Sequence, residues 1–225
     1  MKRNNLLFLS TILVFVSALY AFNVQANSLI KNESVNNEAR YKESRILEGK
    51  TIVIDAGHGG KDVGATGQTG ILEKDMTLQT VLRIKRELIE RTGANVILTR
   101  EKDEFLALPE RVEVAANHAA DLFISIHFDA YTSHDVAGIT TYYNKSVDKQ
   151  AAKMIHEQLF KQKMDTKNRG LAQGDYHVLR ENKSPSILLE LGYLSNLEDE
   201  QRIQTQAFQD KAATAVTEGI MAFFQ

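Results

Sequence analysis

The chain has 225 residues, 43% hydrophobic and 25% charged, with 13 Gly and only 2 Pro, the balance of a folded globular domain rather than a disordered, collagenous or multi-span protein. Lys and Arg number 27 against 29 Asp and Glu, a net charge of -2, so no bulk basic field exists to hold nucleic acid or anionic lipid. Cysteine is absent, which excludes a disulfide framework, a thiolate zinc site, an iron–sulfur cluster and a cysteine nucleophile, and leaves His and carboxylates to hold any metal.

At the N-terminus, Lys2 and Arg3 precede an apolar run from Leu6 to Phe22, and Val24-Gln25-Ala26 offers small residues at the two positions a signal peptidase reads. This predicts a signal peptide over residues 1–26 and an exported protein, secreted or held in the wall or periplasm. Ser10, Thr11 and Ser17 interrupt the run, which sits at the lower edge of a membrane span. Membrane attachment is therefore expected only if this segment stays uncleaved. Residues 27–48 are polar, rich in Asn, Ser and charge, and read as a linker. One folded domain is expected over 49–225, without repeats or an appended module.

Thr51 to Ile54 is a short β-branched run that stops at Asp55-Ala56-Gly57-His58-Gly59-Gly60, a strand followed by a turn-permitting loop. Apolar residues at helical spacing from Met76 to Ile89 predict a helix over 73–91, stopped by Gly93. A strand is expected over 95–99, a helix over 109–120 with Pro109 near its start, and a buried strand over 121–127. A strand over 138–143, a helix over 148–163, short strands over 176–180 and 186–191, and an amphipathic helix over 198–224 complete the chain. Strands alternating with helices argue for an α/β fold: one domain, with a twisted, mostly parallel sheet covered by helices on both faces.

Sheets of that kind place ligand chemistry beyond the carboxyl ends of their strands. His58 lies just past the first strand, His127 ends the strand over 121–127, Glu190 follows the apolar run Ile187-Leu188-Leu189, and Glu73 opens the first helix. Two imidazoles and one carboxylate, with a fourth position left to water, make the ligand set of a catalytic zinc site, and a second carboxylate beside it can move protons. Taken singly, a strand-terminal His can simply hydrogen-bond a loop, and Glu73 can stabilise a helix N-terminus. Glu190 differs, because a carboxylate inside an apolar strand is costly unless it is paired or coordinating. His118 and His156 fall on helices and read as structural, whereas His134 and His177 could line a cleft, with His177 a reserve ligand. Gly49-Lys50-Thr51 lacks the spacing of a phosphate loop, His156-Glu157-Gln158-Leu159-Phe160 lacks the second His of a zinc helix, and no G-x-S-x-G elbow exists.

The segment Ile52 to Ala65 (IVIDAGHGGKDVGA) resembles the opening motif of the zinc-dependent N-acetylmuramoyl-L-alanine amidases, bacterial cell-wall hydrolases of the amidase-3 type. The likeness continues through Leu72 to Asp75, Leu98 to Arg100, Arg111 with Ala116-Asn117 and Ala120-Asp121, Phe123 to His127, and Leu189 to Asn196. The resemblance implies that His58, Glu73 and His127 hold one zinc ion per chain and that Glu190 is the catalytic acid and base. The bond it implies joins the lactyl group of N-acetylmuramic acid to L-alanine in peptidoglycan. Arg100 would either help bind substrate or brace the fold. Two positions depart from the pattern: Asp129 stands where the family commonly has Asn, adding negative charge beside the metal, and Thr77 stands near a usual Asn. No nucleic-acid partner and no separate wall-binding domain are expected. Other functions open to the same residues are a zinc peptidase or deacetylase acting on the wall, and a wall-binding protein without catalysis.

Overall fold

The structure, a computed structural model, describes Gln25, Lys31 and residues 45–225. Apart from those two residues, the expected signal peptide and most of the expected linker fall outside the described residues. No described helix is long and apolar enough to cross a membrane.

Six strands form one sheet: β1 (Thr51–Ala56), β2 (Asn95–Leu98), β3 (Leu122–Asp129), β4 (Ile139–Tyr143), β5 (Asn168–Gln173) and β6 (Ser186–Tyr193), in the order β2-β1-β3-β6-β4-β5. Every pairing is parallel except that of β4 with β6. The helices are α1 (Glu73–Thr92), α2 (Leu108–Asn117), α3 (Asp148–Lys161), α4 (His177–Arg180), α5 (Leu197–Ile203) and α6 (Gln206–Phe224).

Because side chains alternate across a strand, the apolar runs of β1, β3 and β6 feed two cores at once. Ile52, Ile54, Ile124, Ile126, Ile187 and Leu189 join the larger core with Ile84 and Leu88 of α1, Ile155 of α3 and Val216 of α6. Val53, Phe123 and Leu188 face the other way, against Ala115 of α2 and Val178 and Leu179 of α4. Helices thus cover both faces, as the continuous apolar strands require. Leu47 is also buried in the larger core, and its N–H donates to the Thr92 carbonyl at 3.0 Å.

Three elements differ from expectation. Residues 176–180 were expected as a strand, but they form the single turn α4, closed by the Leu179 and Arg180 N–H groups on the Tyr176 carbonyl. Its two adjacent buried residues, Val178 and Leu179, read as a strand in sequence because one helical turn is too short to show a period. β5 (NRGLAQ) has little β-propensity and lies at the sheet edge, where pairing with β4 alone defines it. The closing helix is broken at Thr205, whose hydroxyl accepts the Phe208 N–H and starts α6, just as Asn196 caps α5 through the Asp199 N–H.

Beneath the carboxyl edge of the sheet lies a buried ion pair. Arg111 Nη1 donates to Asp55 Oδ1 at 2.8 Å, and both side chains are almost completely buried. The hydroxyls of Thr99 and Ser125 donate to the same carboxylate at 2.7 and 2.6 Å. Burial pushes the Asp55 carboxyl up, but Arg111 and the two hydroxyls outweigh it and hold it below its ordinary value. Elsewhere, His156 is buried and neutral: Nε2 donates to Asn168 Oδ1 at 2.8 Å, and Nδ1 accepts the Thr141 hydroxyl at 2.9 Å. Burial lowers its pKa below the ordinary 6.5, more than Asn168 and Glu157 raise it.

Arg111→Ala strands the Asp55 charge in the interior, so urea denaturation should show a loss of about 3–5 kcal/mol; a loss below about 1 kcal/mol would remove the pair from this role. The folded protein holds fewer protons at His156 than the unfolded chain does, so this group's contribution is full above pH 6.5 and fades as pH falls below it. Urea midpoints measured across that window should fall on acidification in the wild type relative to His156→Gln, the difference between the two growing below pH 6.5. The carboxylates with lowered pKa act only further down, below their ordinary 3.8.

Candidate active site

The four residues singled out by their strand-end positions come from separate elements and meet at the carboxyl edge of the sheet. His58 follows β1 in a left-handed backbone conformation, φ 60°, a strained setting for a non-glycine residue. Glu73 is the first residue of α1. His127 lies in β3, directly in register with Glu190 of β6. A bulge between His127 and Asp129 ends the regular pairing there, a local device that re-aims side chains at functional edges.

The Glu73 carboxylate sits between the imidazoles. Oε2 lies 3.0 Å from His58 Nε2, and Oε1 lies 2.9 Å from His127 Nδ1. Backbone N–H groups of Ala65 and Phe128 also donate to it, at 2.8 and 3.0 Å. The far nitrogen of His58, Nδ1, meets Asp62 Oδ2 at 2.9 Å, so a second carboxylate fixes that ring's orientation. One donor atom from each of His58, Glu73 and His127 lies within 4.8 Å of the others. Two imidazole nitrogens and a carboxylate oxygen are the donor types that zinc accepts.

Two glycines make the approach feasible. A Cβ at Gly57 would stand 2.3–2.7 Å from the His127 ring, and one at Gly64 would stand 2.6 Å from Glu73 Oε2 and 2.7 Å from His58 Cδ2. No other residue type fits either position without moving a donor.

Burial opposes ionisation of Glu73, but His127 and His58 overcome it and hold its carboxyl far below the usual range. Burial likewise works against charging His58, yet Glu73 and Asp62 leave its pKa raised. Glu190 goes the opposite way: burial first, then the nearby charges of Glu73 and Asp129, push its carboxyl well above the ordinary value. Its Oε2 is buried with no hydrogen-bond partner among the described residues. The two carboxyls are thereby shifted in opposite directions, a difference that suits separate ligand and proton-transfer roles.

A cleft of about 580 Å³ opens over these residues. Phe105, Leu106 and Leu108 form one apolar wall; Tyr176, His177 and Val178 form another; Asp129 and Ala130 lie at the end of β3. Arg111 also reaches the cleft lining, but its Nη2 is bonded to the His58 carbonyl at 2.8 Å and its Nε to the Leu106 carbonyl at 3.2 Å.

Arg100 does not line the cleft. Its buried guanidinium donates to the carbonyls of Ala56, Gly57 and Lys74 and to the Thr77 hydroxyl, all at 2.8–3.0 Å. These contacts let it brace the His58 loop, one of the two roles the sequence leaves open for it. Thr77 joins the brace, its hydroxyl also donating to the Gly57 carbonyl at 2.8 Å. Of the remaining histidines, His118 caps α2, His134 meets the Ser195 carbonyl at 2.7 Å, and His177 reaches the cleft without joining the ligand cluster. The sequence reading overlooked Asp62 and Asp55. For Asp55 the signal was present: like Glu190, it follows an apolar run, Ile52 to Ile54, and so needed a partner. For Asp62 only its place four residues past His58 hinted at contact.

The family model described as N-acetylmuramoyl-L-alanine amidase matches residues 52–222 of this chain. The chain is 40% identical over 183 residues to the probable cell wall amidase LytH of Staphylococcus epidermidis, covering 80% of this chain and 60% of that relative. It thus spans less than two thirds of that longer protein. An uncharacterized protein of Bacillus subtilis, YqiI, is 36% identical over 181 residues, with 79% of this chain and 86% of the relative covered. Among solved structures, the fold is similar to the catalytic domain of CwlV, an N-acetylmuramoyl-L-alanine amidase from Bacillus (Paenibacillus) polymyxa var. colistinus, with a TM-score of 0.75, 38% identity, and 77% and 97% of the two chains covered. It is also similar to the CwlD amidase of Clostridioides difficile, solved in complex with the GerS lipoprotein, with a TM-score of 0.72, 36% identity, and 77% and 98% covered. Family model, relatives and folds agree: the chain belongs to the N-acetylmuramoyl-L-alanine amidase family.

Proposed function

We propose that this protein is a zinc-dependent amidase that hydrolyses the bond between the lactyl group of N-acetylmuramic acid and L-alanine in peptidoglycan, acting outside the cell membrane. The observation that carries the reading is the gathering of His58, Glu73 and His127 donor atoms within 4.8 Å beside the buried, unpartnered carboxylate oxygen of Glu190. Family membership supports the substrate, and the basic, apolar and small-residue pattern over residues 1–26 supports export.

His58, Glu73 and His127 would hold the metal. A zinc ion bound there supplies Lewis-acid polarisation of the substrate carbonyl and brings the pKa of water down to roughly 7. The chain's own residues do the rest. Asp62 and the two backbone N–H groups on Glu73 hold the donors in place, so little reorganisation accompanies reaction. Glu190 takes the proton from the attacking water and returns it to the departing L-alanine nitrogen, the step without which an amine is a poor leaving group. Its burial keeps the carboxyl out of competition with bulk water, and its register with His127 places it on the same edge as the ligands. The apolar walls from Phe105 to Leu108 and from Tyr176 to Val178 narrow water's access to the site.

Mass spectrometry of peptidoglycan digested by the full chain should show glycan strands free of peptide together with intact stem peptides; shortened stems would point to a peptidase, lost acetyl groups to a deacetylase, and wall binding without any product to a non-catalytic binder. Chelation should abolish turnover and added zinc should restore it. Glu190→Gln should keep bound zinc in elemental analysis while turnover falls by about 10²–10⁴-fold; wild-type turnover in that variant would remove Glu190 from the proton path.

A further inference from the structure

The proposed reaction assigns no part to His177, although its half-buried side chain faces the cleft. The other polar groups lining that cleft are largely committed. Asp55 is taken by Arg111, Thr99 and Ser125; His58 by Asp62 and Glu73; Arg111 by Asp55 and three backbone carbonyls. No hydrogen bond joins the His177 ring to any described residue. A neutral imidazole carries one N–H donor and one acceptor, and leaving both unused in a cleft is costly once a ligand excludes water.

The side of the cleft on which His177 stands can be read from its neighbours. Val178 and Leu179 of α4 pack with Leu188, two residues before Glu190 on β6. α4 therefore stands over the strand that carries Glu190. The Leu106 segment stands over β1, because Arg111 bonds its carbonyl together with Asp55 and the Ala56 carbonyl, and β3 separates β1 from β6. The nitrogen that Glu190 protonates is the first atom of the departing peptide. The peptide would then lie along the wall built by α4, with the glycan portion toward Phe105 and Leu108.

We infer that the His177 ring donates a hydrogen bond to an acceptor oxygen, carbonyl or carboxylate, on the peptide part of the substrate, and so positions the leaving group against Glu190. This rests on the amidase reading for the identity of the peptide, but not for its test. His177 is a positioning residue: its bond is present before and during reaction, so removing it weakens binding with little change in the chemical step.

The test compares wild type, His177→Ala and His177→Gln. Kinetics on soluble muramyl-peptide fragments give kcat and KM; calorimetry gives dissociation constants for free stem peptide and for peptide-free glycan; zinc content and thermal melting are measured alongside. One lost hydrogen bond should raise KM and the stem-peptide Kd about tenfold in the Ala variant. kcat, zinc content and glycan affinity should stay within about twofold, and Gln, which keeps an N–H donor, should recover most of the loss. Unchanged peptide affinity in His177→Ala, weakened glycan affinity instead, or no recovery by Gln would overturn the proposal. If the wild type cleaves no amide yet binds stem peptide in a His177-dependent way, the amidase reading fails and this one stands. Amide cleavage with peptide affinity indifferent to residue 177 gives the reverse.

Discussion

The Glu73 carboxylate is bound on both oxygens, to His58 and the Ala65 N–H on one and to His127 and the Phe128 N–H on the other. A carboxylate taken out of water is costly unless its lone pairs are used, and here four donors use them. The interaction joins the loop after β1, the start of α1 and the end of β3, with His58 lying 15 residues before Glu73 and His127 lying 54 after it. Several local features keep it in place: the left-handed turn at His58, the missing side chains at Gly57 and Gly64, and the Arg100 brace beneath the loop.

A second buried carboxylate does complementary work below the first. Asp55 ends the apolar part of β1 and is neutralised by Arg111 of α2, which also holds the His58 and Leu106 carbonyls. The pair therefore ties the His58 loop to one wall of the cleft. Buried ion pairs of this sort add little net stability relative to apolar replacements, but breaking one is expensive. Their value here is geometric, since the guanidinium fork fixes three chain segments relative to one another.

Much of this was legible before any coordinates. The apolar runs at Thr51–Ala56, Leu122–Asp129 and Ser186–Tyr193 are buried except at Thr51, His127 and Asp129, and such runs announce themselves by composition. His58, Glu73 and His127 stood out near the end of such a strand or the start of the first helix, and Glu190 as a carboxylate following three apolar residues of a strand. What the sequence concealed depends on long-range contact. α4 is a single turn whose identity is set by packing on β6 and α2, and β5 exists only because β4 is there to pair with it. Arg100 shows the same limit in a side chain: an arginine after a strand reads equally well as a substrate handle or a brace, and the distant carbonyls it bonds come together only in the folded chain.

The contact between Gly57 and the His127 ring reaches beyond this one molecule. A bare methyl group at that point would overlap the imidazole, so hydrogen at this α-carbon is a precondition for the ring's placement. Relatives that keep both histidines yet carry any larger residue there must seat the second ring differently. The identity of one small residue thus fixes how a side chain 70 positions further along the chain can be oriented.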